Sequence, residues 1–165
     1  MRALRIDEIR EATGGELLLG REDVRISYIS IDSRDVKEDT LFVPLVGERV
    51  DAHRFLEQVI AAGAKAVFTA ETLTEAQREA AAKTGTAVIR VPDTLRALQA
   101  LAGWLRSRLS LPLIGVTGSV GKTTTREMIA AALSAKYRVF KTKSQFADRR
   151  TAHTARHRRR GNRRD

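Results

Sequence analysis

The chain has 165 residues, with 30 Lys or Arg against 20 Asp or Glu and a formal net charge of +10. It contains no cysteine, which excludes a disulfide framework and a cysteine-bound zinc site. No apolar run approaches the ~20 residues of a membrane span and the first residues lack the apolar core of a signal peptide, so we expect a cytoplasmic protein without membrane insertion.

A first unit of alternating strands and helices is predicted over residues 1–91. A short helix over residues 7–12 and a Gly14-Gly15 turn precede a pair of strands at residues 16–19 and 24–31. The next predicted elements are a strand at 40–45, a helix at 52–62, a strand at 66–69, a helix at 73–83 and a strand at 87–91. This β-α-β order is typical of an α/β fold.

A long amphipathic helix is predicted at the start of a second unit, residues 92–146. Asp93 can cap this helix, which we expect to end near Leu109. We expect Trp104 to pack against other apolar residues and not to serve as a stacking platform. The apolar face at helical spacing consists of Leu95, Leu98, Leu101, Ala102 and Leu105.

The segment from Gly115 to Thr125, Gly-Val-Thr-Gly-Ser-Val-Gly-Lys-Thr-Thr-Thr, has the pattern of a phosphate-binding loop. An apolar run at 111–114 precedes the loop and is predicted to be a strand. A helix-forming stretch follows the loop, and a further parallel strand is predicted at 137–140. Backbone N–H groups and Lys122 can bind phosphate oxygens there, and the Thr123 hydroxyl is placed to hold Mg²⁺. The predicted phosphate contacts are Thr117, Gly118, Ser119, Val120, Gly121, Lys122 and Thr123.

A structural turn is the alternative for this loop, since Gly-rich turns before helices are common and Val116 stands where the pattern has its first Gly. The presence of both Lys122 and Thr123 favours phosphate binding.

Polar residues of the first unit are concentrated in three segments, residues 30–34, 39–47 and 51–55. Binding groups are commonly found in such loops. The spacing leaves a structural role equally open, because Asp32 and Arg34 can form a surface ion pair and Asp51 can cap the following helix.

Taken together, these segments resemble the Mur ligase family over residues 1 to about 146. Asp-Ser-Arg, then Leu-Phe-Val-Pro-Leu-x-Gly, then Asp-x-His-x-Phe is similar to the family's uridine-nucleotide domain, and Thr-Gly-Ser-Val-Gly-Lys-Thr is similar to its ATP loop. The resemblance implies a small substrate domain (1–91) followed by the start of a P-loop, parallel-sheet ATPase domain (92–146). The implied contacts to the UDP moiety are Ser33, Arg34, Gly47, Asp51 and His53.

The activity implied by the resemblance is ATP-dependent amide ligation in peptidoglycan precursor synthesis. The motifs favour the member that adds D-alanyl-D-alanine to UDP-N-acetylmuramoyl-tripeptide through an acyl phosphate. The sibling that adds the third peptide residue is the alternative. The implied cofactors are ATP and Mg²⁺, with Lys122 stabilising charge on the transferred phosphoryl group and Thr123 holding the metal. Family members are usually monomeric. The family's further catalytic groups lie later in a longer chain, so we expect residues 1–165 by themselves to be inactive.

Two other classes of protein fit parts of the sequence. One is an intact small P-loop NTPase with a basic arm, and the other is a nucleic-acid-binding module. A working P-loop fold needs a parallel sheet of several strands, and only two strands are predicted after Pro92. This favours the ligase.

The positive charge is concentrated in residues 141–165, which carry a net +8 and leave +2 for residues 1–140. We expect this part to be disordered and to bind no specific nucleic acid. Family members have a segment like Glu-Ile-Gly-x-Pro-Leu-Thr-Leu-Leu here, and codons from Asp148 onward, read one base later, permit Ile-Gly-Val-Pro-Leu-Thr-Leu-Leu. We therefore predict a frame change near Ala147 and an out-of-frame tail at 147–165, with a genuine basic tail as the alternative.

Overall fold

The computed structural model describes residues 3–48 and 50–142, so the predicted tail at 147–165 and the predicted frame change lie outside the described residues. The chain divides into two compact units, Met1–Ser110 and Leu111–Asp165. No helix in the described ranges combines the length and the apolar character that crossing a membrane requires.

A five-stranded sheet forms the centre of the first unit. Its spatial order is β2 (Glu16–Leu19), β7 (Ala87–Arg90), β6 (Ala66–Thr69), β5 (Thr40–Phe42) and β4 (Tyr28–Ser30). The last four strands in this order are parallel to one another, and β2 is antiparallel to β7. A separate antiparallel pair consists of β1 (Leu4–Arg5) and β3 (Arg25–Ile26).

Helices cover both faces of the sheet. Because side chains alternate between the two faces along each strand, neighbouring strand residues lie in different core clusters. Phe68 and Ile89 lie in one core cluster with residues of α1 (Ile6–Thr13) and α4 (Thr94–Ser107). Their neighbours Val67 and Val88 lie in the second cluster. That cluster also holds residues of α2 (Leu56–Ala61), which follows a 3₁₀ helix (Ala52–Phe55), and of α3 (Glu75–Thr84). Burial on both faces explains why these strands are almost continuously apolar.

Helix boundaries in this unit follow local capping chemistry. Thr74 and Gln77 form a reciprocal capping box at the start of α3, and the helix ends at Gly85 with a left-handed φ of 70°. The Asp93 side chain accepts a hydrogen bond from the Arg96 N–H at 2.9 Å, as predicted for the start of α4. The α/β fold class predicted from the sequence is therefore confirmed for the first unit.

The predicted pairing of residues 16–19 with residues 24–31 is wrong. Residues 24–31 contain two short strands, β3 and β4, which pair with β1 and β5, while β2 pairs with β7. Apolar alternation shows that a segment is half-buried but does not select its partner.

Helix α4 packs within the first unit, which extends to Ser110. The sequence-based division after residue 91 assigns this helix to the second unit. Ala97 and Leu101 are buried in the core cluster that also holds residues of α1. The Thr94 hydroxyl donates to the Pro44 carbonyl at 2.5 Å. Trp104 packs against the same cluster, as predicted, but Leu95 is 49% exposed. The buried face is therefore rotated relative to the predicted one.

The second unit contains one helix within its described residues, α5 (Lys122–Ser134). The strands predicted at 111–114 and 137–140 are absent from this part of the structure. Leu113 is 75% exposed and Phe140 is 94% exposed. A strand is maintained by hydrogen bonds to a neighbour, and neither segment is paired in the described residues.

Candidate functional site

The loops that follow β4, β5 and β6 begin at one edge of the sheet, because parallel strands end on the same side. Open α/β sheets commonly bind ligands at this edge. Ser33 and Arg34 lie in the loop after β4, and Gly47, Asp51 and His53 lie after β5. The five residues predicted to contact the UDP moiety therefore follow two adjacent strands at the same edge.

The loop after β4 is a compact turn closed by its own side chains. Arg34 forms two hydrogen bonds with the Asp32 carboxylate, at 2.9 and 2.8 Å, and its backbone N–H donates to the same carboxylate at 3.0 Å. These contacts, the guanidinium first, lower the pKa of Asp32 to about 2. The predicted surface ion pair is present, and the Arg34 side chain is 84% exposed with N–H groups that can still donate to a ligand.

A tight hairpin after β5 presents Asp51 at the edge of the sheet. Val46 and Asp51 form an antiparallel bridge, and the Gly47 N–H donates to the Val50 carbonyl at 3.0 Å. A Cβ at Gly47 would lie 3.2 Å from that oxygen, which explains why a glycine suits this position. The Ala52 N–H donates to the Leu45 carbonyl at 3.1 Å and closes the base of the hairpin.

Asp51 and His53 form a hydrogen-bonded pair at the start of the 3₁₀ helix. Asp51 Oδ1 accepts from the His53 backbone N–H at 2.9 Å and lies 2.6 Å from His53 Nδ1. Both contacts, the backbone N–H first, lower the pKa of Asp51. His53 is only 3% exposed, and its Nε2 accepts from the Ala70 N–H at 3.1 Å. The helix-capping role that the sequence left open for Asp51 is therefore present.

Glu71 is a further member of this cluster, and it is not among the residues predicted from the sequence. Asp51, His53 and Glu71 each offer a possible ligand atom, and these atoms lie within 4.8 Å of one another. The His53 ring nitrogens are both engaged, one with Asp51 and one with an amide N–H, so no imidazole lone pair is left for a metal ion. Since Glu71 closely follows a predicted parallel strand, the rule that such strands end at one edge could have located it.

The phosphate-loop pattern adopts a glycine-dependent turn in the second unit. Gly118 and Gly121 have φ values of 147° and 79°, which side chains rarely adopt, and α5 begins directly afterwards at Lys122. Lys122 Nζ donates to the Gly118 carbonyl. Thr123 is exposed in the first turn of the helix. The seven predicted phosphate contacts, Thr117 to Thr123, thus lie on one loop and the adjoining helix start.

Two family models match this chain. The model described as Mur ligase family, catalytic domain, matches residues 25–104. The model described as Mur ligase middle domain matches residues 116–158. The matches therefore include both sets of candidate site residues.

Curated relatives carry the names of two ligases of this family. The UDP-N-acetylmuramoyl-tripeptide--D-alanyl-D-alanine ligase of Synechocystis is 45% identical over 125 residues, which is 76% of this chain and 26% of the relative. The UDP-N-acetylmuramoyl-L-alanyl-D-glutamate--2,6-diaminopimelate ligase of Synechococcus is 37% identical over 122 residues, 72% of this chain and 24% of the relative. The chain thus spans about a quarter of the length of these relatives.

Solved structures give the same result. MurF from Acinetobacter baumannii has a TM-score of 0.74 and 30% identity, covering 88% of this chain and 30% of its own. MurF from Thermotoga maritima, solved in complex with ADP, has a TM-score of 0.60 and 30% identity. The match covers 72% of this chain and 26% of the Thermotoga maritima chain. From the two family models, these relatives and these structures, we conclude that the chain belongs to the Mur ligase family.

Proposed function

We propose that this chain is part of an ATP-dependent ligase that adds D-alanyl-D-alanine to UDP-N-acetylmuramoyl-tripeptide. The observation that carries the proposal is the 45% identity to a ligase of that name over 125 residues. This alignment is longer than the first unit, so it includes part of the second. Ser33, Arg34, Gly47, Asp51 and His53 lie at the sheet edge that we call the nucleotide edge. In this proposal the nucleotide edge and the phosphate loop serve the same enzyme.

The UDP moiety, in this proposal, binds where the loops after β4 and β5 meet the sheet edge. The exposed Arg34 guanidinium supplies positive charge and N–H donors for the diphosphate. Ser33 supplies a hydroxyl, and the Gly47 hairpin supplies backbone close to the ligand. Asp51 supplies a half-exposed carboxylate that accepts hydrogen bonds.

The phosphate loop binds the ATP phosphates in the same proposal. The amide N–H groups of residues 118–122 and the positive end of α5 favour an anion there, and Lys122 adds a full charge. The two glycines keep side chains away from the loop, with no atom within 4 Å of a Cβ built at Gly121. The loop therefore fits a nucleotide phosphate, and the ADP bound by the Thermotoga maritima neighbour supports ATP as the nucleotide.

Mg²⁺ fits the same loop through Thr123, whose exposed hydroxyl follows Lys122 in the first helical turn. When bound, the metal supplies charge neutralisation at the phosphate oxygens. In the proposed reaction a terminal carboxylate oxygen of the tripeptide attacks the γ-phosphorus and ADP leaves. The dipeptide amine then attacks the acyl carbon, and inorganic phosphate leaves as the amide forms. Lys122 stabilises the negative charge of the transferred phosphoryl group.

The sibling ligase that adds the third peptide residue is the second candidate. The 37% identity to the Synechococcus 2,6-diaminopimelate ligase favours it over any unrelated P-loop protein. The two candidates share the uridine nucleotide and differ in its peptide. Tighter binding of the tripeptide nucleotide than of the dipeptide nucleotide supports the D-alanyl-D-alanine ligase, and the reverse order supports the sibling.

The nucleotide site is tested by titrating the 165-residue chain with UDP-N-acetylmuramoyl-tripeptide in a calorimeter and a thermal melt. We expect binding that raises the melting midpoint. Arg34→Ala should weaken it by about tenfold, the effect of one lost hydrogen bond to a charged group.

Arg21→Ala is the matched control. Arg21 forms the same kind of two-bonded pair with Asp23, at 3.0 and 2.7 Å, but it lies after β2, at the opposite edge of the sheet. Its loss should leave the affinity unchanged. Equal losses in the two variants, or no binding by the unsubstituted chain, would refute the proposed site.

A further inference from the structure

His53 lies at the nucleotide edge but is almost completely buried. Only 3% of the residue is exposed, so its ring offers a ligand almost no surface. Its two ring nitrogens contact two different loops: Nδ1 contacts Asp51, which ends the hairpin after β5, and Nε2 contacts Ala70, which follows β6. The imidazole therefore joins two loops, and its contact with Ala70 spans 17 residues of sequence.

The partners of the ring specify one protonation state. The Ala70 N–H can only donate, so Nε2 must carry a lone pair and no proton. The proton of a neutral imidazole is then on Nδ1, where it donates to Asp51 Oδ1 at 2.6 Å. A proton on Nε2 would place two donors face to face.

The Ala70 end of this contact is itself fixed in place. The Thr69 hydroxyl donates to the Glu71 carbonyl at 3.0 Å and accepts from the Glu71 N–H at 3.1 Å. These bonds close a small turn around Ala70, and Thr69 is a buried residue of β6. The Ala70 N–H is therefore held toward the imidazole by the central part of the sheet.

Asp51 is in a different situation, since it lies on the hairpin and is half-exposed. Its carboxylate receives hydrogen bonds from both the backbone and the ring of His53. Through the ring, the sheet-anchored turn at Ala70 fixes the position of the Asp51 carboxylate at the edge.

We infer that His53 is a positioning residue, a neutral imidazole that connects Ala70 to Asp51 and holds the Asp51 carboxylate in place for the uridine nucleotide. The nucleotide part of this inference rests on the proposed function. It differs from the role implied by the family resemblance, in which His53 contacts the UDP moiety directly. Loss of the ring weakens binding by removing one of the two hydrogen bonds that hold Asp51, and not by removing a ligand contact.

The connection from Ala70 through the His53 ring to Asp51, which we call the imidazole bridge, is tested first in the full chain without nucleotide. We expect the ¹⁵N spectrum to show a protonated Nδ1 and an unprotonated Nε2 at neutral pH. We also expect the Ala70 amide, which belongs to an exposed residue, to exchange slowly. A protonated Nε2, or rapid exchange at Ala70, would refute the bridge whether or not any nucleotide binds.

Three substitutions separate the two ends of the bridge. His53→Gln places an amide oxygen near the Nε2 position and should keep the Ala70 amide protected. His53→Asn keeps a donor only near the Nδ1 position and should lose that protection, as should His53→Ala. Glu57→Gln, on an exposed position of α2, is the control and should change nothing. Equal protection of the Ala70 amide in the Gln and Asn variants would contradict the assignment of Nε2 as its acceptor.

A double-mutant cycle then tests whether His53 acts through Asp51. His53→Ala should weaken binding of UDP-N-acetylmuramoyl-tripeptide by about tenfold, the scale of one hydrogen bond to a charged group. In an Asp51→Asn background the same substitution should have almost no further effect. Additive losses would show that His53 contacts the nucleotide itself. If the unsubstituted chain binds no nucleotide, the proposed function fails, and the spectrum and the Ala70 exchange still decide the bridge.

Discussion

Single residues at the nucleotide edge have structural partners as well as a proposed ligand. The sequence allows a surface ion pair between Asp32 and Arg34 and a helix cap at Asp51, and both are present. These contacts leave Arg34 and Asp51 partly exposed, so they orient the side chains without hiding them. At this edge the structural interpretation and the binding interpretation are compatible.

Removing the Arg34 side chain should raise the pKa of Asp32 from about 2 toward 3.8. The rise should be incomplete, because the backbone N–H of residue 34 still donates to Asp32. Since the folded-state pKa is lowered, the contribution of the pair to stability is present above pH 3.8 and is lost as the pH falls through about 2. A carboxyl ¹³C titration of Arg34→Ala measures the change. The Arg21→Ala protein should keep the original Asp32 value, and an unchanged value in Arg34→Ala would contradict the geometry.

At the scale of elements, α4 shows that tertiary packing decides which residues of an amphipathic helix are buried. The helix is amphipathic, as its sequence predicts, yet its buried residues include Thr94, Ala97 and Leu101, while Leu95 is exposed. The stripe of leucines indicates that one face is apolar. The position of the core determines which residues around that face are covered, because helix and sheet must interlock without voids.

Leu101→Ala should lower the free energy of unfolding of the first unit by about 2–5 kcal/mol, because it leaves a cavity in the core. Leu95→Ala, on the same helix and 49% exposed, should change it by only about 0.5 kcal/mol. Urea unfolding monitored by circular dichroism measures both. Similar losses in the two variants, or a larger loss for Leu95→Ala, would show that α4 is packed differently.

At the scale of the whole molecule, this chain covers about a quarter of the Synechocystis ligase and 30% of the Acinetobacter baumannii MurF. Its phosphate loop has the residues that we propose bind nucleotide phosphates, but the segment before the loop forms no strand in the described residues. Catalysis by electrostatic stabilisation requires groups held in fixed positions before the reaction. A loop without a paired strand beneath it does not meet that requirement.

The 165-residue chain by itself should therefore release no phosphate from ATP. We expect turnover with Mg²⁺, UDP-N-acetylmuramoyl-tripeptide and D-alanyl-D-alanine to equal that of a Lys122→Ala variant in a phosphate-release assay. The full-length Synechocystis ligase in the same mixture is the positive control. Phosphate release that depends on Lys122 would contradict this prediction and would show that the loop is organised without further partners.

The sequence by itself determined most of the helices and strands of the first unit, the α/β class, the phosphate-loop pattern and the family, although residues 24–31 form two strands and not one. These properties follow from local rules: the period of apolar residues, capping residues such as Asp93, and glycines at left-handed positions such as Gly121. Only the tertiary structure decided the pairing of β2 with β7, the burial of His53 and the nearness of Glu71 to Asp51. It also decided that residues 111–114 and 137–140 are not strands in the described part of the chain. Each of these depends on a partner distant in sequence, and a local pattern carries no information about which partner that is.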